Sequence, residues 1–380
     1  MRYETLSREL DAWVAEQLVT EAQARAIRAR YAERRGPERR QQVVSALAVI
    51  GAIVGGLGII LFFAANWDAI PRPARVALLL ATMVGAYAVG HVLRPRRPAF
   101  GQALLLLGSV AFGASLFLVG QMYHVQAHDP LAFLVWTAVC VPTALVVPTR
   151  PLAVLSILTF GAWLVYELVE TGGGGAEYVP VVAAVYGAAL YACGRVLRDE
   201  LYSGPMRGVG FALASAGTFV FTFREAVEQL DRDTGLGAGE LIGLVGLGGA
   251  ALAGAVVVAA RATRWFELAE AALIAAVPLL VGAAILVPEG GDAIVYPILF
   301  NLLVAAIALG AIAAGSVREE AWLVNSGIAL VAVDVFARYI DVFWDLLPRS
   351  LGFLGAGLIL LALAFGLERQ RARLVGRMET

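Results

Sequence analysis

The stretch from Pro73 to Gly120, PARVALLLATMVGAYAVGHVLRPRRPAFGQALLLLGSVAFGASLFLVG, decides the fold. It holds two apolar runs, 73–92 and 100–120, parted by Arg94, Arg96 and Arg97. Each run is as long as the roughly 17–25 residues an α-helix needs to cross a bilayer's hydrocarbon core. Arginines between such runs stay on the cytoplasmic side during insertion. Outward from this stretch the pattern repeats. Twelve runs can be marked, near residues 43–65, 73–92, 100–120, 131–147, 151–168, 178–197, 206–223, 239–260, 265–286, 293–314, 321–343 and 347–367. The chain contains no lysine; of its 29 arginines, 23 fall in the two tails and in alternate gaps, and 6 in the remaining gaps. The pattern predicts an all-α polytopic membrane protein with about twelve transmembrane helices and both termini cytoplasmic.

Composition points the same way. At 380 residues the chain is long enough for two soluble domains, but it is 60% hydrophobic and 16% charged. Soluble domains average roughly 25% charged, so too little polar sequence remains to coat them. The net charge of -1 conceals a basic face that suits an anionic cytoplasmic leaflet. The lipid bilayer is therefore the expected partner and nucleic acid is not. Cys140 and Cys193 lie inside apolar runs, which excludes a disulfide framework or a CxxC motif. Gly172 to Gly175 read as a flexible linker, and a chain without lysine has no Walker A motif. About forty mostly polar residues precede the first apolar run, so that run is expected to serve as its own insertion signal.

Three segments follow: a cytoplasmic helical hairpin with a basic linker over 1–40, a transmembrane bundle over 41–368, and a basic cytoplasmic tail over 369–380. Leu6, Leu10, Trp13, Val14 and Leu18 share one helical face by spacing. Thr20 and Gln23 read as a capping box, opening a second helix with Ala22, Ala26 and Ile27 on its packing side. Arg34, Arg35, Arg39 and Arg40 then sit at headgroup level. The hairpin either anchors the topology or docks a cytoplasmic protein through residues 1–36. Further on, residues 224–238 suggest a surface helix ending at Gly235. The small-residue series Gly51/Gly55, Gly246/Ala250/Gly254 and Gly352/Ala356 predict close helix packing within the bundle.

Ionisable residues at membrane depth cost about 2.5–3.5 kcal/mol each on insertion scales and default to functional candidates. Asp334, Arg338, Asp341 and Asp345 recur at i, i+4, i+7 and i+11, one helix face. Gln121, Tyr123, His124, Gln126, His128 and Asp129 crowd the outer end of the third run, and Asn66-Trp67-Asp68 follows the first. By the arginine pattern these groups open on the extracytoplasmic face. Asp334, Arg338, Asp341, Asp345, Gln121, Tyr123, His124 and Asn66 are the expected binding residues. No catalytic group, metal or cofactor is expected. His124, His128 and Asp129 carry only a weak metal-ligand spacing, and Ser115 lies about 13 Å along a helix from His124, too far for a dyad. Glu267 and Glu270 are read as locally paired with Arg264. Pro142 and Pro278 are candidate helix breaks.

The segments Leu57-Gly58-Ile59-Ile60-Leu61-Phe62-Phe63-Ala64-Ala65-Asn66-Trp67 and Ala337-Arg338-Tyr339-Ile340-Asp341-Val342-Phe343-Trp344-Asp345-Leu346-Leu347-Pro348-Arg349-Ser350 resemble a prokaryotic family of predicted membrane proteins, domain of unknown function 2157. Trp13-Val14, Leu18-Val19-Thr20 and Gln23-Ala24 resemble its opening hairpin, with Gln17 where glycine is usual, and Gly120-Gln121-Met122-Tyr123 resembles it again. The resemblance touches the start, the first four runs and the last two. It implies the architecture and brings no reaction.

Three functions stand on these residues. The first is a small-solute transporter or channel-like protein with a polar site on the outer face, favoured because ionisable groups in the membrane mark pathways. The second is a non-transporting scaffold or sensor that uses the hairpin and outer loops. The third is an intramembrane enzyme acting on a lipid or envelope substrate.

Overall fold

A computed structural model describes residues 10, 13, 14, 16, 18–25, 70–123, 129–171, 175–232, 238–287 and 294–343, with isolated positions at 355, 357, 358 and 361. Every regular element from residue 72 to residue 343 among them is helical. The order is α1 (Arg72–Leu93), α2 (Pro98–Tyr123), α3 (Asp129–Val146), α4 (Arg150–Thr171), a single 3₁₀ turn (Ala176–Tyr178), α5 (Val179–Val196), α6 (Ser203–Val220), α7 (Arg224–Arg232), α8 (Ala238–Ala260), α9 (Trp265–Leu286), α10 (Val295–Arg318) and α11 (Ala321–Phe343). Apolar runs become helices because lipid offers the backbone no hydrogen-bond partner outside its own i→i−4 ladder.

Eight of these helices, α1, α2, α4, α5, α8, α9, α10 and α11, are long and apolar enough to cross a membrane. The count of twelve is not reached among the described residues. Run 43–65 and all but four positions of 347–367 lie outside them, and the apolar part of α3, Pro130–Val146, is shorter than the other spans. The run 206–223 does not continue straight either: α6 and α7 meet at 89°. Arg224, Glu225, Glu228, Asp231 and Arg232 make α7 too polar to extend a span, and it turns aside with Val227 and Leu230 buried in the core. A helix is expected here, over 224–238; it is amphipathic, its expected end at Gly235 lies outside the described residues, and the chain breaks before it. Pro142 and Pro278, by contrast, sit inside continuous helices.

The chain divides into two compact units, 1–77 and 78–380. In the first, the capping box is present: Thr20 N–H donates to Gln23 Oε1 at 2.9 Å and Gln23 N–H to Thr20 Oγ1 at 3.3 Å. Leu10 and Ala24 are buried against Trp13 and Val14. Two details differ from the spacing. Leu18 is 68% exposed, because the helix has already ended and Leu18 N–H reaches back to the Trp13 carbonyl. Ala24, not Ala22, faces the packing. The boundary expected at residue 40 lies outside the described residues.

In the second unit α5 is the hub. Most of its residues are buried, and it packs on α6, α8, α9 and α4. The approach to α6 is close enough to require glycine: a Cβ on Gly187 would fall 2.2 Å from the Ala214 nitrogen, and one on Gly217 2.4 Å from the Ala184 nitrogen. Small residues let backbones meet where lipid supplies no hydrophobic drive. The series expected on α8 does this only at Gly254, which abuts Ala192; Gly246 and Ala250 are exposed because the buried face runs through Ala251, Ala255 and Val258. Beside the hub, α2, α3 and α4 pack through Phe117, Phe133 and Tyr166, with Thr137 bonded to Thr159 at 2.8 Å and Trp136 Nε1 to the Ser109 carbonyl at 2.8 Å.

Candidate functional site

Antiparallel packing of neighbouring spans brings alternate connections to one end of the bundle, and the arginines show it. Arg94 donates to the Pro148 carbonyl at 3.0 Å, and Arg261 to the Val196 carbonyl at 3.2 Å, each pair joining two different connections. At this basic end a carboxylate lies inside the protein. Glu270, a turn and a half into α9, is 8% exposed. Arg318 at the end of α10 grips it with both nitrogens, at 2.9 and 2.5 Å. Tyr191 of α5 donates its hydroxyl to Glu270 Oε1 at 2.6 Å. Arg195, one turn further along α5, holds Nε 3.2 Å from the same oxygen, off the line of a hydrogen bond. A fork-on-fork Arg–carboxylate pair is the strong form of this interaction, and burial raises its cost if broken. Next to it Arg207 of α6 pairs with Glu320 and lies over the Trp322 ring at 5.3 Å, while Arg318 lies over Phe266 at 5.3 Å. The basic end thereby ties α5, α6, α9, α10 and α11 together.

Below this node is a half-enclosed cavity of about 90 Å³ between the same five helices. Its wall is apolar, from Phe211, Phe266, Ile274, Val277 and Ile307, and Glu270 and Tyr191 form its polar corner. Ser215 also lines it, and that buried hydroxyl has no hydrogen-bond partner among the described residues. Unpaired buried polar atoms are uncommon and ask for an explanation. The mouth passes the exposed Trp265, Ala269 and Ala313.

At the arginine-poor end the expected stripe is assembled differently from its spacing. Arg338 Nε is 3.9 Å from Asp334 Oδ1, an ion pair beyond hydrogen-bond length, and both side chains are partly exposed. Arg338 donates to the Thr222 hydroxyl and sits over Phe223 at 4.4 Å, both in the α6–α7 bend. Asn301 donates to the Thr222 and Pro297 carbonyls at 3.2 and 2.7 Å, adding α10. Asp341 closes α11 with its side chain outside the described residues, as are Asp345, His124 and Asn66 altogether. Gln121 and Tyr123 are exposed at the end of α2, which packs on α3 and α4, whereas α11 packs on α10. Among the described residues the structure therefore does not bring Gln121 and Tyr123 to Asp334 and Arg338. Ser115 gives its hydroxyl to the Ala111 carbonyl.

Glu270 is the functional candidate that the sequence reading passed over. Local pairing describes Glu267, whose carboxylate accepts the Thr263 and Arg264 N–H groups at 2.6 and 3.2 Å. It does not describe Glu270, whose partners lie 48 and 79 residues away. The available signal was Tyr191 and Arg195 at i, i+4 on a helix end, opposite a carboxylate one turn inside another. No curated protein and no solved structure matches the chain. The Glu270 node and its cavity lie beyond the matched region: residues 11–166, from the N-terminal segment into α4, are covered by the model of the family described as Predicted membrane protein (DUF2157).

Proposed function

We propose that the chain is a carrier for a small, largely apolar solute, with the path running between α5, α6, α9, α10 and α11. The observation that carries this is the cavity with an orphaned Ser215 hydroxyl, bounded toward the basic end by the Glu270–Arg318 pair. From α6 into the bend that follows it the order is Arg207, Ser215, Thr222; along α10 it is Arg318, Ile307, Asn301. Each helix thus meets a polar lock, the cavity and a second polar group in turn. Ser215 and Thr222 are seven residues apart, about 10 Å at 1.5 Å per residue. Opening one lock at a time would expose Ser215 to one side and then the other. In this reading the basic end is cytoplasmic, as are both termini, and the membrane is the prokaryotic inner membrane. The 1–40 segment is a cytoplasmic accessory and 369–380 a basic tail.

The competing reading is a scaffold that holds its helices fixed and docks a cytoplasmic protein through residues 1–36. The engagement of Arg338 by Thr222 and Phe223 favours it, because these contacts tie α11 to the α6–α7 bend. Accessibility separates the two without knowing the solute. In a Cys140→Ala, Cys193→Ala background, a Ser215→Cys chain in sealed vesicles is treated with a membrane-impermeant maleimide from each side. A carrier is labelled from both sides at comparable rates. A scaffold is labelled from neither, and labelling from one side alone also contradicts the carrier.

A further inference from the structure

A second cavity lies at the basic end on the other flank of α9, outside the proposed path. It holds about 160 Å³ and is lined by Arg195, Val196, Val258, Arg261 and Glu267, from α5, α8 and α9. Two guanidinium groups and the Glu267 carboxylate line one polar space here, and the nearby carboxylates already hold hydrogen-bond donors of their own. Arg195 Nε is ion-paired with Glu270 Oε1 at 3.2 Å but has no aligned hydrogen bond, because Arg318 and Tyr191 take the Glu270 oxygens. Glu267 spends its carboxylate on the Thr263 and Arg264 N–H groups at the start of α9. Arg261 has only the Val196 carbonyl among the described residues. Arg195 and Arg261 bring two positive charges from separate elements to one cavity, and an anion between them gains from both. Guanidinium groups suit oxyanions because their planar fork gives two parallel hydrogen bonds. Water occupies about 30 Å³ per molecule in the liquid, so the cavity takes roughly five waters or one tetrahedral phosphoryl group with a few waters.

We propose that this cavity is an oxyanion site in which Arg195 and Arg261 together bind a phosphoryl group. Two sources share that chemistry: the headgroup of an anionic phospholipid, and free inorganic phosphate. Basic pockets between spans are suited to lipid headgroups, and this one opens where the arginine pattern puts the cytoplasmic leaflet.

The test uses the full chain in phosphatidylcholine nanodiscs, with and without a minority of phosphatidylglycerol, and in a separate arm with inorganic phosphate. Native mass spectrometry counts retained phosphatidylglycerol, and the thermal unfolding midpoint reports phosphate. Arg261→Gln is the principal variant; Arg261 is exposed, so folding tolerates the change, and unchanged size-exclusion elution verifies it. Arg264→Gln is the control, an exposed arginine at the same end that does not line the cavity. We expect Arg261→Gln to weaken binding about tenfold, Arg195→Gln/Arg261→Gln to abolish it, and Arg264→Gln to leave it unchanged. Retained phosphatidylglycerol with no phosphate response identifies the headgroup as source, and the converse identifies the free anion. Equal losses in Arg261→Gln and Arg264→Gln, or no binding in either arm, would overturn the site.

Discussion

The two ends of the bundle carry ion pairs of opposite kinds. At the arginine-poor end, Asp334 and Arg338 are four residues apart on one helix, partly exposed, and 3.9 Å from each other. At the basic end, Glu270 joins α9 to α5 and α10 while 8% exposed. An i, i+4 pair in partly wet surroundings is worth a few tenths of a kcal/mol, since its geometry is given by the helix whether or not the charges attract. A buried pair between helices is different. Its charges have left water, so removing one partner strands the other and costs about 3–5 kcal/mol. A pair that looks well placed in sequence can thus be weak in the fold, and a strong one can join residues that sequence does not relate.

Substitutions at each end break this contrast if it is mistaken, and the largest effect belongs to Glu270. Glu270→Ala leaves Arg318 and Arg195 buried beside an apolar cavity, and unfolding in mixed micelles should show a loss of about 3–5 kcal/mol. A loss below about 1 kcal/mol would mean that the node is solvated. Arg338→Ala should cost about 1–2 kcal/mol, for the Thr222 hydrogen bond and the contact with Phe223. Arg338→Lys should recover only part, because lysine lacks the planar fork that stacks on the ring. Glu319, between α10 and α11, has φ 59°, a left-handed cap that glycine adopts without strain. Glu319→Gly should therefore raise stability, by up to about 1 kcal/mol, and a loss would show that the Glu319 side chain matters more than its backbone. The smallest effect is Asp334→Asn, about 0.3–0.5 kcal/mol, with the deficit disappearing at high salt.

This contrast also explains how much could be read from the chain before its structure. Hydrocarbon thickness acts on contiguous residues, so ten of the twelve apolar runs coincide with described helices. The charge rule acts on short connections, so the clustering of arginines at one end was legible too. The Thr20–Gln23 box lies within four residues and was read correctly, whereas Leu18 was assigned to a helix that had already ended. Glu270 was misread because Arg264, six residues away, offered a local explanation, while its true partners, Tyr191 and Arg318, belong to other spans. The expected site joined Asp334, Arg338, Asp341 and Asp345 to Gln121, Tyr123, His124 and Asn66 by membrane depth. Asp345, His124, Asn66 and the Asp341 side chain lie outside the described residues, and for the rest depth is all that the sequence offers. Depth alone does not decide which groups meet; helix adjacency does, and α2 and α11 pack on different neighbours.

The most direct test of this account is a double-mutant cycle on Glu270 and Arg318, using Glu270→Gln and Arg318→Gln singly and together, with unfolding free energy read in the same mixed micelles. Residues that share a buried pair couple by about 0.5–3 kcal/mol. The account predicts coupling in the upper half of that range, so that the double variant loses about 1.5–3 kcal/mol less than the two single losses added together. Additive losses, with coupling near zero, would contradict the claim that this pair locks the basic end.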